Sequence, residues 1–390
     1  MSIIEMSRTY FDHNATTPPD AAVIEAVIRA LREDYGNPSS VHHFGQRAKA
    51  LLDEARTTVA ELIGGEPAEI VFTSGGTESD NLALRGAANA IESSSARRHV
   101  IVSGIEHEAV LNTVKALSTR GWTATVLPVD ASGVVSPASL AAAIAPGTAI
   151  VSVMHANNEI GTIQPIADLA AIAHEHGALF HTDAVQSVAK IPVDVRALGI
   201  DLLSLSAHKF NGPKGAGALW IRRGTRLTST MTGGKHERNR RGGTENVPGI
   251  TGMGIAARLA RAKLDADATR VGALRDRLER GVLQRVPGTL VNGGSSPRVP
   301  NTSNISFDGV EAESLLIALD LEGFAVSTGS ACSSGTLEPS HVLRAMGLPS
   351  HRTQNSIRFS LGAGNTVEQI ESLIAKLPGV VEKLRALVRR

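Results

Sequence analysis

The 390-residue sequence predicts an α/β fold, with a mostly parallel sheet in a large unit and a smaller α+β unit toward the C-terminus. Three observations carry this expectation. Short apolar runs such as "HVIVS", "TAIVSVM" and "DLLSLS" alternate with helical stretches of about 10 to 15 residues, the rhythm of βαβ units. Hydrophobic residues are 42% of the chain and charged residues 20%, the proportions of a globular protein with room for a sizeable core. Aromatic residues are only 3%, while alanine and glycine abound, which suits helices packed closely onto a sheet.

After a polar start, residues 20–35 and 44–63 read as amphipathic helices. "EIVFT" is a short apolar strand that runs into "SGGTESDNLALRGAANAI". "HVIVS" leads to a helix over 108–119, and "TATVLPV" is the next strand. "TAIVSVM" ends in the loop "HANNEIGTIQ", followed by a helix over 165–176. "ALFHT" and "DLLSLS" are two further strands, each stopping at a polar residue. A long helical stretch with few breakers covers 249–285. Beyond it, "NTSNISFDGV", a helix through Leu321, a Ser/Gly-rich loop, "NSIRFSLG" and a helix from Thr366 form the smaller unit. The boundary between the units is expected inside the long helix, near residue 264, without a low-complexity linker or an internal repeat.

Bulk properties exclude several function classes. A formal net charge of +1 gives no field that favours nucleic acid or an acidic membrane. The first twenty residues lack the apolar core of a signal peptide, and no uninterrupted apolar run approaches a membrane span. The single cysteine, Cys332, forbids an intrachain disulfide, and a free thiol points to the reducing cytoplasm.

In parallel sheets, ligands gather at the carboxyl ends of the strands. Lys209 lies three residues past a strand in "SLSAHKFNGPKGAG", where an amine could form a Schiff base with an aldehyde. The plainer reading is a solvated loop lysine, which suits Lys214 better. Asp183 ends the strand of "FHTDAVQS"; it could face the ring nitrogen of pyridoxal phosphate or simply cap a helix. Gln186 lies one turn on, within reach of the ring hydroxyl. "TSGGTESDN" could hold a phosphate: its glycines admit the backbone closely, Thr77 adds a hydroxyl, and a helix N-terminus follows. His107 and Asn158 each follow a strand; alone, either would pass for an ordinary surface residue. Five weak signals at the ends of five strands are harder to ascribe to chance.

Cys332 is itself unusual in its setting. A structural thiol packs among apolar neighbours, yet this one sits in "VSTGSACSSGTLEPS" among serine, glycine and threonine. It reads as a thiol meant to be reached.

These stretches together resemble the fold-type I pyridoxal-phosphate enzymes of the class V aminotransferase group, and within it the cysteine desulfurases of the NifS/IscS type. The resemblance covers nearly all the chain, through "YFDHNATTP", "YGNPSSVHHFG", "FTSGGTESDN", "EHEAVL", "HANNEIGTIQP", "HTDAVQSVAK", "SAHKFNGPKG", "RRGGTENV", "TGSACSSG" (Thr328 replacing a family serine) and "SIRFSLG". It implies a pyridoxal-phosphate-binding unit over 16–264 and a small unit formed by 1–15 and 265–390 that carries the cysteine loop. Lys209 would hold the cofactor aldehyde, Asp183 its ring nitrogen, and Gln186 and Asn158 its flanks, with His107 stacked on the ring. Gly76, Thr77, Ser206 and His208 would hold the phosphate. Thr244 would reach the phosphate of a neighbouring subunit, making a homodimer with shared sites. Arg358, with Asn158, would bind the carboxylate of L-cysteine. Cys332 would attack the substrate sulfur and leave alanine and a persulfide, on a loop kept mobile by small residues, once its thiol is activated. The sulfur would pass to an iron–sulfur scaffold protein or another acceptor, and Cys332 could lend a transient ligand to a cluster shared with that scaffold. Ending at "LRALVRR", the chain would lack the longer tail by which housekeeping IscS-type members dock a scaffold.

Two rival readings differ at specific residues. An aminotransferase would share Lys209, Asp183 and Arg358 but would not need Cys332. A metal or iron–sulfur scaffold would need several thiolates, and "HEH" at 174–176 puts its histidines on different helix faces.

Overall fold

The structure, a computed structural model, describes residues 8–329 and 339–388. Its first strand, β1 (Thr9–Tyr10), belongs to the smaller unit. The large unit is a seven-stranded sheet of β2 (Ile70–Thr73), β3 (His99–Ser103), β4 (Thr123–Leu127), β5 (Thr148–Ser152), β6 (Leu179–Asp183), β7 (Leu202–Ser206) and β8 (Gly217–Ile221). Their spatial order is β2-β8-β7-β6-β5-β3-β4. Neighbours pair in parallel from β7 through β4, whereas β8 runs antiparallel to both β2 and β7. β8 is the departure from the expected strand-and-helix rhythm: "GALWI" returns from the Lys209 loop by a short connection, without an intervening helix. Two reversals restore direction, so β2 points the same way as β7. The Gly75–Thr77 turn after β2 therefore shares an edge with the loops after β3, β5, β6 and β7.

Strand residues alternate between two apolar layers. Ile70, Phe72, Ile101, Val151, Leu203, Leu205 and Trp220 face one helical layer; Val71, Val100, Val102, Ile150, Leu202, Leu219 and Ile221 face the other. Burial on both sides explains the near-continuous apolar runs of β5, β7 and β8. At the edge, β4 is largely exposed. The turn after β2 must pass close to β8, since a Cβ on Gly217 would meet the Gly75 Cα at 2.6 Å. Only glycine fits there.

The helix Val247–Arg285 runs for 39 residues, about 58 Å at 1.5 Å per residue. Asn246 caps it through the Gly249 N–H, and its first half packs on the helices Ala21–Glu33 and His43–Leu62. Contact with the latter is close, for a Cβ on Gly254 would meet the Ala55 Cα at 2.6 Å. Residues as far as Ala260 pack on the large-unit core. From Val271 onward the helix joins a second core with Phe11, Ile305, Phe307, Ile357, Phe359 and Leu373. This second core covers the antiparallel sheet of β9 (Thr289–Asn292), β10 (Thr302–Phe307) and β12 (Ser356–Ser360), while β1 pairs in parallel with β11 (Phe324–Ala325). Among the described residues, no helix is long and apolar enough to cross a membrane.

Candidate active site

A cavity of about 500 Å³ opens where the carboxyl edge of the seven-stranded sheet meets the smaller unit. Gly76, Thr77, His107, Asn158, Asp183, Gln186, Ser206, His208, Lys209 and Arg358 all line it. Strand direction explains the convergence of residues from β2, β3, β5, β6 and β7. Thr244 is the described candidate that does not join them; it is exposed and does not line the cavity. Lys214 is likewise exposed, which leaves Lys209 as the amine inside.

Lys209 Nζ donates to the backbone carbonyls of Asn14 and Ala15 at 2.6 and 2.8 Å. Burial first, then the Arg358 charge, pushes its pKa down to about 8, against the opposing pull of Asp183 and Asp12. A substantial share of this amine is therefore neutral and nucleophilic near physiological pH. Asp183, at the end of β6, accepts from the Val185 N–H at 2.9 Å. Burial raises its carboxyl, while His107, that N–H and Lys209 favour the ionised form.

Two further carboxyls lie behind Asp183. Burial, and then the nearness of Asp183, pushes Asp80 well above the usual range. Burial raises Glu106 to about 8 despite donors from Ser103 and the Met154 N–H. Glu106 is thereby largely protonated near neutral pH, and the shift of Asp80 runs in the same direction. Like charges packed together cannot all ionise, and Asp183 is the member beside the Lys209 amine and the Val185 N–H.

The helix Gly76–Glu92 directs its first-turn N–H groups at the cavity, where an anion is favoured. His208 faces the Thr16 hydroxyl through Nδ1 at 3.1 Å. Burial, then Lys209 and Lys214, lowers its pKa to about 4, so the ring is neutral. His107 caps the helix Glu108–Ser118: its Nδ1 accepts from the Ala109 N–H at 3.1 Å, which places the ring proton on Nε2. On the opposite wall, Arg358 donates to Asp12 Oδ1 at 2.6 Å and to the Asn158 carbonyl at 3.0 Å. Among the described residues its buried Nε has no hydrogen-bond partner, on a side chain proposed for a carboxylate.

This set fits pyridoxal phosphate on chemical grounds. A helix N-terminus suits its phosphate, a buried carboxylate its ring nitrogen, and a depressed lysine its aldehyde. Val326, Ser327, Thr328 and Gly329 also line the cavity. Cys332, three residues past Gly329, lies outside the described residues, and so does any cluster ligation through it. Among the described residues, no group of three His, Cys, Asp or Glu side chains is placed to hold a metal ion.

Sequence reasoning missed Asn14 and Asp80, which line the cavity, and Lys190 behind its wall. Each lies inside a motif already noted ("YFDHNATTP", "FTSGGTESDN", "HTDAVQSVAK"), but without a strand-end position to single it out.

The aminotransferase class-V family model matches residues 9–373. Cysteine desulfurase IscS of Dictyoglomus turgidum is 50% identical over 378 residues, 97% of this chain and 95% of that protein. Among solved structures, a NifS-like protein superposes with a TM-score of 0.90 at 39% identity, covering 97% of this chain and all of the other. SspA in complex with cysteine gives a TM-score of 0.81 at 35% identity, covering 92% and 99% of the two chains.

Proposed function

The chain belongs to the class-V aminotransferase family, and on that premise we propose that its cavity removes sulfur from L-cysteine, giving L-alanine and a persulfide on Cys332. It is a pyridoxal-phosphate-dependent cysteine desulfurase, the activity named for relatives aligned along almost its whole length. One observation carries the assignment of roles: a single cavity gathers Lys209, Asp183, a helix N-terminus and Arg358 beside the segment that leads to the only cysteine.

When bound, the cofactor supplies a protonated pyridine ring that takes up the electron pair released as the substrate Cα loses its proton. Asp183 keeps that ring nitrogen protonated. Lys209 would hold the aldehyde, and its amine, depressed to about 8, would be a suitable base for the Cα proton. His107 would cover the ring, while Gly76, Thr77, Ser206 and His208 would hold the phosphate. Cys332, as thiolate, bonds to the substrate sulfur as the carbon–sulfur bond breaks. The electron pair goes to Cβ, which takes a proton to become the methyl group, and return of a proton to Cα completes alanine. In the same reading, residues 16–264 form the cofactor unit, with 1–15 and 265–390 as the unit that brings Arg358 and Cys332. The deciding test is incubation with cysteine in the absence of reductant. One added sulfur mass on the Cys332 peptide, together with alanine, is expected; alanine without that mass would point to a different lyase chemistry.

Arg358→Lys should raise KM for cysteine about tenfold or more, because a point charge replaces a fork that can meet a carboxylate with two donors. If the contact acts equally in ground and transition states, kcat should change much less. Steady-state kinetics checks this, and an unchanged KM would assign the carboxylate to another anchor.

The exposed position of Thr244 supports a role in a partner's site, and with it a homodimer. Hybrid dimers of Lys209→Ala with a Thr244→Val/Gly243→Ala variant should regain activity, because one of the two sites then has both an intact lysine and an intact incoming loop. Exchange of subunits without recovery would mean that each site is built from one chain. The sulfur acceptor is proposed as an iron–sulfur scaffold or another sulfur-carrying protein, identified by which protein becomes labelled from radioactive cysteine.

A further inference from the structure

Lys190 sits behind the cavity wall and has no part in the chemistry described so far. The residue is only partly exposed and its amine end is buried. Nζ donates to Gln186 Oε1 at 2.5 Å and to Asn14 Oδ1 at 3.0 Å. Gln186 in turn donates from Nε2 to the Asn14 backbone carbonyl at 3.0 Å. Gln186 and Asn14 are 4% and 1% exposed, so neither can turn to water for a replacement partner.

The two contacts to Gln186 fix which end of its amide is which. An amine facing an amide requires the oxygen there, and a carbonyl facing it requires the nitrogen. With both in place, one N–H is used on Asn14 and the second remains for the cavity that Gln186 lines. Burial, then the charges of Lys209 and Arg358, pushes the Lys190 amine well below its usual range. The amine has hydrogens enough for both of its acceptors. Asn14 also receives Lys209 through the same carbonyl, so the three side chains share one anchoring residue.

We propose that Lys190 is a positioning residue: it pins the Gln186 amide so that the nitrogen, and not the oxygen, is presented to the ring hydroxyl oxygen of the bound cofactor. Without Lys190, the buried Oε1 of Gln186 loses its donor, and the amide loses one of the two contacts that hold its orientation. The inference rests on the cofactor reading of the cavity.

The test is a double-mutant cycle on the holoenzyme, read from the pH titration of its visible band. Lys190→Met, nearly isosteric but without a donor, should displace the midpoint by about one pH unit, a tenfold change in the protonation equilibrium. In a Gln186→Ala background the same substitution should displace it by less than about 0.3 unit, a twofold change. Lys190→Gln keeps a neutral donor and should stay within that smaller range of wild type; it also carries the test if Lys190→Met does not fold. A full displacement that persists in the Gln186→Ala background would mean that Lys190 acts through its charge on Lys209, which overturns the proposal. An unmoved midpoint in Lys190→Met, or a full shift in Lys190→Gln, overturns it as well. Borohydride reduction of wild type separates the two levels: cofactor fixed on Lys209 validates the premise, while its absence removes the premise and the inference together.

Discussion

Replacing Cys332 with serine should lower the rate of alanine and sulfide formation by about a thousandfold or more while leaving the colour response to cysteine intact. The expectation follows from a division of labour. In the proposed site, binding of the substrate amine and carboxylate is assigned to Lys209, Asp183, His107 and Arg358, and none of these is altered by the substitution. Transfer of sulfur needs a polarisable anion to attack a sulfur atom. A free thiol titrates near about 8.5, so a few per cent is thiolate at neutral pH, whereas a serine hydroxyl is essentially never ionised there. Loss of a nucleophile of this kind removes nearly all turnover, as the large effects in other covalent enzymes indicate. Stopped-flow absorbance should show cysteine-dependent changes of wild-type amplitude in the variant, and alanine assays should show almost no product. Turnover near the wild-type rate would rule out the cysteine as nucleophile and favour an aminotransferase-like or direct lyase reaction.

The strand ends were legible because buried parallel strands are continuous apolar runs and their ligands follow at the carboxyl edge. Lys209, Asp183 and Gly76 could each be found by position alone. β8 was not found, since it follows a short return and the alternation of strand and helix gave no reason to expect it. Asn14 and Lys190 were missed for another reason. They meet across 176 positions of sequence, and no local period or spacing encodes such a contact. The Asp80 carboxyl beneath Asp183 is of the same kind: a helix residue whose importance comes only from the strand it packs against. Arg358 stood out only through family resemblance, because an arginine in a strand more often makes a surface ion pair. Its burial and its hold on Asp12 are tertiary facts.

Lys209→Ala should abolish covalent attachment of the cofactor and reduce desulfuration by at least about three orders of magnitude, since both aldehyde capture and proton transfer at Cα are assigned to one amine. Non-covalent retention should fall less, because the helix N-terminus, Ser206, His208 and Asp183 remain. Borohydride treatment followed by peptide mass analysis should find the reduced cofactor on Lys209 in wild type and on no lysine in the variant; cofactor on Lys214 would contradict the assignment. Wild type offers a second check through pH. Burial and Arg358 depress the Lys209 amine to about 8, and the neutral form is the one that attacks an aldehyde. The rate at which apoprotein captures pyridoxal phosphate should therefore rise about tenfold per unit below that pH and level off above it. An ordinary solvated lysine would keep climbing toward about 10.4. A profile that bends near 8 in wild type, and its absence in Lys209→Ala, would tie the depressed amine to the site. A profile still climbing past pH 9 would mean that the amine which captures the cofactor is not the buried one beside Arg358.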